Sequence, residues 1–276
     1  MFPFKTALNT STLLPFHLDV KQQARIAAEA GFEGIELWVQ DLHAYLEHGG
    51  TIQELRSYLA DTGLALPNAI AFFSWAATDP ALREQGFAQA ERDMHLLAEL
   101  GCVAVAAPPY GDVAGISLEA MAGQFARLAD LGRRIGIEPY LEFWGRAAKL
   151  SRLSEAMFVA MESGVPDAKI LVDPFHMYTG GSELNSLRYV NGANIGIVHV
   201  NDYPANPSRE QIADGDRVFP GAGIAPTQEL ATLLARNGYR GYLSLEVFIA
   251  SYGEEDALAV ATRGRQAIAS AYQVAD

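Results

Sequence analysis

Four side chains that can bind a metal ion stand in otherwise apolar stretches in the second half of the chain. They are Glu142, Asp173, His199 and Glu246. A carboxylate in apolar surroundings is costly unless its charge is compensated, and three carboxylates close together also repel one another. A divalent cation removes both costs, because it neutralises charge and accepts oxygen and imidazole ligands together. Each residue alone has an ordinary structural explanation, but the four together predict one bound divalent metal ion.

The stretches that carry these residues belong to a pattern that recurs along the chain. A segment with helical periodicity ends at a glycine, which suits the left-handed position that closes a helix, and a short apolar run follows. The glycines are Gly31, Gly63, Gly101, Gly136, Gly164, Gly192 and Gly238. The apolar runs, with one more at the start of the chain, are residues 4–9, 34–39, 64–73, 103–109, 137–144, 169–175, 195–201 and 241–248. They are apolar nearly throughout, as are strands of a parallel sheet that helices cover.

Eight strands alternating with helices predict a single (β/α)₈ TIM barrel over residues 1–276, with a doubly wound open sheet as the alternative. Against the open sheet, residues 9–12 (Asn-Thr-Ser-Thr) stand where a glycine-rich phosphate loop would follow the first strand. The active site of such a barrel lies at the carboxyl ends of its strands. The strands ending near residues 142, 173, 199 and 246 would therefore bring the four side chains to one mouth.

Three further residues stand beside these strand ends. His176 follows Asp173 by three positions, and Arg217 lies in a long connection, residues 202–225, of a kind that is usually a lid or a binding loop. Both are donors suited to a substrate oxygen. The alternative for Arg217 is a salt bridge with Asp214 or Asp216, and the alternative for His176 is a helix cap or a hydrogen bond to a metal-binding residue. Asp202 either orients His199 from behind or caps the loop.

Composition excludes several classes of function. The net charge of −13 makes nucleic acid and membrane surfaces poor partners. The single cysteine, Cys102, lies in an apolar run and is predicted to be a core residue. The N-terminus does not resemble a signal peptide, so we expect a cytoplasmic protein.

Aromatic residues crowd the same strand ends and suit the apolar faces of a sugar or cyclitol ring. They are Trp38, Phe72, Phe73, Trp75, Tyr110, Phe143, Trp144, Phe175, Phe248 and Tyr252. Ordinary packing at the barrel mouth is the alternative for each. The expected partner is a small sugar or cyclitol, and a homo-oligomeric assembly stays open.

Several segments resemble the xylose-isomerase-like TIM-barrel sugar phosphate isomerase/epimerase superfamily, above all its inosose (2-keto-myo-inositol) isomerase branch. They are residues 141–143 (Leu-Glu-Phe), 171–176 (Leu-Val-Asp-Pro-Phe-His), 199–202 (His-Val-Asn-Asp), 216–221 (Asp-Arg-Val-Phe-Pro-Gly) and 244–248 (Ser-Leu-Glu-Val-Phe). The resemblance covers essentially the whole chain.

The resemblance implies that Glu142, Asp173, His199 and Glu246 bind one ion of Mn²⁺, Mg²⁺, Co²⁺ or Zn²⁺. It also implies that His176 and Arg217 contact the substrate. Glu142 and Glu246 would take and return a proton next to a carbonyl, through an enediolate.

Two departures keep other reactions open. Ketose 3-epimerases of the superfamily carry a further glutamate shortly after the position of Glu142, whereas residues 144–149 contain no acid. The superfamily also includes metal-dependent lyases, dehydratases and decarboxylases of keto sugars or keto sugar acids, and a further cation at the mouth, Arg146 or Lys149, would favour these.

A DNA-repair endonuclease ranks low, because the strands at 67–73 and 103–110 lack its histidines. A non-catalytic sugar-binding domain would need no metal.

Overall fold

The computed structural model describes residues 1–274 and contains eight parallel strands in one sheet. In chain order they are β1 (Lys5–Asn9), β2 (Gly34–Trp38), β3 (Ala69–Ile70), β4 (Ala104–Ala107), β5 (Glu138–Glu142), β6 (Lys169–Val172), β7 (Ile195–Val200) and β8 (Tyr242–Leu245). The sheet order is β3-β2-β1-β8-β7-β6-β5-β4, so the first strand pairs with the last. A backbone hydrogen bond from Val103 N to Leu66 O, 3.3 Å, spans the remaining seam between β3 and β4. The predicted barrel is confirmed.

Helices connect the strands on the outside of this barrel. They are α1 (Val20–Glu29), α2 (Val39–Glu47), α3 (Ile52–Thr62), α4 (Pro80–Leu100), α5 (Leu118–Ile135), α6 (Leu153–Glu162), α7 (Pro174–Gly180), α8 (Thr227–Arg236) and α9 (Ala257–Ala271). Short 3₁₀ helices cover Thr10–Phe16, Leu184–Tyr189, Gly192–Asn194 and Asp214–Asp216. None of the helices among residues 1–274 combines the length and apolar character that crossing a membrane requires.

The helix starts agree with the local sequence signals. The Thr51 side chain accepts a hydrogen bond from the Glu54 backbone N–H at the start of α3. Asp79 caps α4 and Pro80 follows as its first residue, where the missing N–H costs nothing. The closing helix α9 begins after Asp256, which caps it and accepts from the Ala259 N–H.

The third strand is much shorter than its predicted span of 64–73. Only Ala69 and Ile70 pair in register with β2, and Ala65 makes an isolated bridge with Gly34. Pro67 lies between these two pairings and lacks the N–H that a continuous ladder needs. The apolar run therefore predicted the position of the strand correctly but not its length.

Six of the seven predicted helix-closing glycines have the expected positive φ. They are Gly31, Gly63, Gly101, Gly136, Gly164 and Gly238. The prediction for Gly192 was wrong, because it begins the 3₁₀ turn Gly192–Asn194. A Cβ at Gly192 would stand 2.4 Å from the Tyr239 N and 2.6 Å from the Asn237 O, so close packing against the turn before β8 explains this glycine.

Two clusters of buried side chains make up most of the core. A small cluster inside the barrel includes Ile70, Tyr140, Leu171 and Ile197, and a larger one fills the layer between strands and helices. Cys102 belongs to the larger cluster, as predicted, and burial raises the pKa of its thiol to about 12. The interior below the mouth is thus packed with side chains, as in other barrels of this kind.

We predict that Gly192→Ala destabilises the protein by about 1–3 kcal/mol, because the added methyl group meets backbone atoms of residues 237–239. Gly123→Ala is the matched control. Gly123 lies on the exposed side of α5 with open space around its Cβ position, so alanine there should add about 0.5–1 kcal/mol of stability. Urea unfolding midpoints of the two variants measure this. The close-approach explanation fails if Gly192→Ala unfolds at the same urea concentration as Gly123→Ala.

Candidate metal centre

Three of the four predicted metal ligands come together at the carboxyl ends of adjacent strands. Asp173 follows β6, His199 lies near the end of β7 and Glu246 follows β8. One potential ligand atom from each lies within 4.8 Å of the others, and all three side chains are buried. Backbone pairing of β7 with β8 (His199 opposite Ser244) and a bond from Glu246 N to Val200 O hold these ends in register.

Glu142, the fourth predicted ligand, stands at the end of β5, outside this group of three. It is buried and lines the same cavity as Glu246. Burial raises the pKa of Glu142 to about 8; His199 opposes the rise, while Glu246 and Asp173 add to it. This carboxyl group therefore favours its protonated form in the absence of a further cation.

The His199 ring is held between two glutamates. Its Nε2 lies 3.2 Å from Glu36 Oε1, and its Nδ1 lies 3.1 Å from Glu246 Oε2 but is not aligned for a hydrogen bond. Burial alone would lower the pKa of His199, but Glu246 and Glu36 outweigh it and raise the pKa well above the ordinary value. Since Glu36 holds Nε2, Nδ1 is the nitrogen that faces the cluster.

Arg217 brings a guanidinium cation into this centre. Its Nη1 donates to Asp173 Oδ2 at 2.8 Å and to Glu246 Oε2 at 2.6 Å, and its Nη2 donates to Asp214 Oδ1 at 2.6 Å. The guanidinium also lies over the rings of Phe175 and Phe248, with its carbon 4.4 and 5.2 Å from the two ring centres. Arg217 therefore makes the predicted alternative contact, a salt bridge with Asp214, and binds two candidate metal ligands as well.

Asp173 lies completely buried at the N-terminus of α7. Its Oδ1 accepts from Phe175 N at 2.8 Å and from Asn201 Nδ2 at 3.0 Å. Burial would raise the pKa of Asp173, but the positive charge of Arg217, helped by that of His199, holds it below the usual range. Asp173 is thus an anion in this structure.

His176, on the first turn of α7, is buried beside this pair. Its Nε2 lies 3.4 Å from Arg217 Nη2 and 3.9 Å from Asp173 Oδ2, while its Nδ1 has no hydrogen-bond partner. Burial lowers the pKa of His176, so the imidazole is neutral. The ring lines the cavity, where it can meet a bound ligand.

Of the two roles predicted for Asp202, the structure shows the loop-capping one. Its carboxylate accepts from the backbone N–H groups of Tyr203 and Ala225, both at 2.8 Å, and of Gly221 at 3.0 Å. The expectation that Asp202 orients His199 is corrected, because the ring nitrogens of His199 face Glu36 and Glu246 instead. The Asp202 carboxylate is turned toward the loop.

A cavity of about 620 Å³ opens above the cluster. Glu142, His176, Arg217 and Glu246 line it, and residues of the 202–225 loop form one wall. Six of the ten predicted aromatic residues also line it: Trp38, Phe72, Tyr110, Trp144, Phe175 and Phe248. Phe73, Trp75 and Phe143 instead lie in the hydrophobic core, and Tyr252 stacks on Phe16. Side chains alternate sides along extended backbone, which separates Phe72 from Phe73 and Trp144 from Phe143.

The residues present fit a divalent ion. Three buried donor atoms from two carboxylates and an imidazole converge, and the His199 Nδ1 among them has no hydrogen-bond partner. The arrangement of Glu36 behind His199 matches the carboxylate that usually fixes the ring of a metal-binding histidine. Glu142 adds a further carboxylate at the edge of this group. Mixed oxygen and nitrogen donors suit Zn²⁺, Mn²⁺ and Co²⁺.

Sequence reasoning missed Glu36. It is fully buried in β2, where Asn68 Nδ2 donates to its Oε1 at 2.7 Å. The signal was available, since Glu36 stands among Ile35, Leu37 and Trp38 as Glu142 stands among apolar neighbours. Asn9 was missed as well; its Nδ2 donates to Glu246 Oε1 at 3.0 Å. An amide at a strand end carries no charge penalty, so nothing in its setting drew attention to it.

Fold and site together define a (β/α)₈ barrel protein with a buried cluster of acids, a histidine and an arginine below a cavity at its carboxyl face. The chain belongs to the family described as xylose isomerase-like TIM barrel, which it matches over residues 24–269. The resemblance seen in the sequence is confirmed.

The relatives include isomerases and dehydratases. The chain is 26% identical to the inosose isomerase of Bacillus velezensis over 280 residues, which cover 97% of this chain and 98% of that protein. It is 27% identical to the 3-dehydroshikimate dehydratase of Pseudomonas putida over 229 residues, which cover 80% of this chain but only 35% of the dehydratase. These relatives support the prediction of an enzyme.

The IOLI protein, whose crystal structure has a binding zinc atom, has the same fold. The TM-score is 0.90 at 21% identity, with 98% of both chains covered. An L-ribulose 3-epimerase has the same fold, with a TM-score of 0.76 at 20% identity over 98% of this chain and 94% of that one. At identities this low, the structural similarity shows a common architecture and nothing further.

We predict that Glu36→Gln weakens the binding of Zn²⁺ or Mn²⁺ by about 10–100-fold, the usual effect of losing the partner behind a metal-binding histidine. The glutamine keeps the shape of the side chain but removes the charge next to Nε2 of His199. Glu33→Gln is the control, since Glu33 is exposed and its side chain accepts from the Thr6 N–H. Titration calorimetry measures both. Equal affinities in the two variants would show that Glu36 has no part in the metal centre.

Proposed function

We propose that the protein is a divalent-metal-dependent isomerase or epimerase that acts next to the carbonyl of a keto sugar or ketocyclitol of the inosose type, through an enediolate. The observation that carries the proposal is the convergence of Asp173, His199 and Glu246 below a cavity lined by Glu142. The inosose isomerase relative, which matches this chain over nearly its full length, supports the substrate class.

Asp173, His199, Glu246 and Glu142 would hold the metal. When bound, a divalent ion supplies Lewis-acid stabilisation of the charge that develops on the carbonyl oxygen. One of Glu142 and Glu246 would remove a proton from the carbon next to the carbonyl and the other would return it, and the position of both carboxylates in the cavity lining supports these roles. Arg146 and Lys149, considered as additional cations in the sequence, have no part in this step.

Arg217 and His176 would bind the substrate oxygens. The guanidinium brings a fixed positive charge to the wall of the cavity, and the neutral His176 offers an imidazole N–H with a free ring position. A fixed donor at the oxygen of a developing enediolate stabilises the transition state, because it needs no reorganisation as the charge forms. The apolar rings of Phe175 and Phe248 keep this charge away from water.

The charges around the cavity favour an uncharged substrate. Among the residues that line it, the cationic side chains are Arg146 and Arg217, against Asp112, Glu142, Asp214 and Glu246. Arg217 is engaged by carboxylates, and Arg146 donates to the backbone carbonyls of Arg209 and Ile212. Lys149 is not among the lining residues. A carboxylate or phosphate on the substrate would therefore lack the dedicated cation that usually binds it.

A dehydratase of a keto sugar or keto acid is the second candidate, supported by the similarity to 3-dehydroshikimate dehydratases. Such a reaction starts with the same proton removal and ends with the loss of a neighbouring hydroxyl group as water. Arg146 donates to the Ile212 carbonyl rather than pointing a free cation at the substrate, which argues against a substrate with a carboxylate. The dehydratase therefore ranks second.

Proton exchange tests the proposal. We expect the metal-loaded protein to exchange the proton next to the carbonyl of an inosose or a ketose for deuterium in D₂O, followed by NMR. Chelation should abolish exchange and Mn²⁺, Co²⁺ or Zn²⁺ should restore it, while Asp173→Asn should lower metal affinity and exchange together with the barrel still folded. Exchange at full rate in the chelated protein contradicts metal dependence. A product that has lost water, formed in place of a new ketose, supports the dehydratase.

We further predict that Arg217→Ala lowers kcat/KM by about 100-fold or more, as loss of a donor at a developing oxyanion does. Arg217→Lys should recover only part, because lysine lacks the fork in which Nη1 binds Asp173 and Glu246 while Nη2 binds Asp214. Asp214→Asn removes only the loop partner of Arg217 and should cost less than about fivefold, as partly exposed ion pairs do. Steady-state kinetics decide. If Asp214→Asn lowers kcat/KM as much as Arg217→Ala, then Arg217 acts as a loop clamp.

A further inference from the structure

The cavity extends well beyond the side chains assigned to chemistry. Its volume of about 620 Å³ lies in the range that encloses drug-sized ligands, whereas one hexose-sized ring needs only part of it. The candidate metal ligands come from β5, β6, β7 and β8, and the ring of strands places β3 and β4 across the mouth from β7 and β8. The space between these two sides is available to a larger molecule.

Three aromatic rings cover the far side. Phe72 follows β3, Tyr110 follows β4 and Trp144 follows β5. Their ring centres lie 5.5 Å (Phe72 to Tyr110), 6.0 Å (Phe72 to Trp144) and 6.5 Å (Tyr110 to Trp144) apart, so the rings form a closed triangle. We name these three residues the outer aromatic platform.

The platform is exposed to the cavity in spite of its apolar character. Tyr110 is 42% exposed, and Phe72 and Trp144 are partly exposed. Exposed aromatic surface inside a cavity is unfavourable unless a ligand covers it, and it usually marks a binding site. Trp144 connects the platform to the reaction side, since its ring centre lies 6.4 Å from that of His176.

The polar groups around the platform are suited to hydroxyl groups. Asp112 is an exposed carboxylate at the edge, and the Tyr110 hydroxyl forms no hydrogen bond with the described part of the chain. Arg146, the cation on this side, is engaged by loop carbonyls. Apolar ring faces with hydrogen-bonding groups at their edge match a sugar ring, which has C–H faces and hydroxyl edges.

We propose that the outer aromatic platform is a second sugar subsite, and that the substrate is an uncharged keto glycoside of at least two rings. The keto ring would lie beside Glu142, His176 and Glu246, and the ring attached to it would stack on Tyr110 and Phe72. This inference rests on the proposed function for the reaction of the keto ring, but the binding of the second ring is a separate property. It fits a substrate made by oxidation of one ring of a glycoside.

Binding of unreactive sugars tests the subsite directly. We expect the wild-type protein to bind cellobiose about tenfold more tightly than methyl β-D-glucoside, because only cellobiose has a ring for the platform. Tyr110→Ala should remove this difference, and Tyr110→Phe should retain it because the ring is kept. Tyr189→Ala is the control, since Tyr189 is 82% exposed and does not line the cavity. Ligand-observed NMR titrations provide the affinities.

The outcomes separate the subsite from the reaction. Equal affinities for the two sugars in the wild type, or an unchanged difference in Tyr110→Ala, overturn the subsite. If single-ring inososes and ketoses still undergo proton exchange in that case, the proposed function stands alone. If cellobiose binds as expected but no keto substrate, including the 3-keto derivative of cellobiose, exchanges its proton, then the proposed reaction fails and the sugar subsite remains.

Discussion

The structure depends on the balance of charge in one buried cluster. Glu36, Asp173 and Glu246 are buried carboxylates, and within the described chain their charges face Arg217 and His199. Removing one member would leave an unpaired buried charge, which typically costs 3–5 kcal/mol. Such a cluster contributes little to stability beyond what apolar residues would provide. Its presence at the carboxyl face of the barrel is therefore explained by chemistry.

The barrel makes this cluster possible because parallel strands deliver their carboxyl ends to one face. Three donor residues come from three adjacent strands, Glu36 reaches His199 from β2, and the loop after β7 returns Arg217 over the top. The first turn of α7 contributes directly, since it gives Asp173 a backbone N–H and carries His176. The remaining helices cover the strands and leave the mouth to the loops.

The sequence predicted the barrel and most of the cluster because the signals were local. Glu142, Asp173 and Glu246 are conspicuous as acids in apolar runs, and the glycines that close helices have a backbone requirement of their own. Gly192 misled because a close contact with Tyr239 is non-local. Glu36 carried the same signal as Glu142 in the first half of the chain, where no family motif drew attention to it. The contact of Arg217 with Asp173 joins residues far apart in the chain, so it became visible only in three dimensions.

The loop after β7 is fastened at both ends by one residue. The Asp202 backbone pairs with Val218 in both directions, and its carboxylate accepts from the N–H groups of Gly221 and Ala225. Residues 203–217 therefore form a loop whose two ends are held together next to the end of β7. Insertions or substitutions near Ile212 can reshape the cavity wall without displacing that base. A barrel built in this way can acquire new substrates by mutation of a tethered loop while its reactive centre is inherited intact.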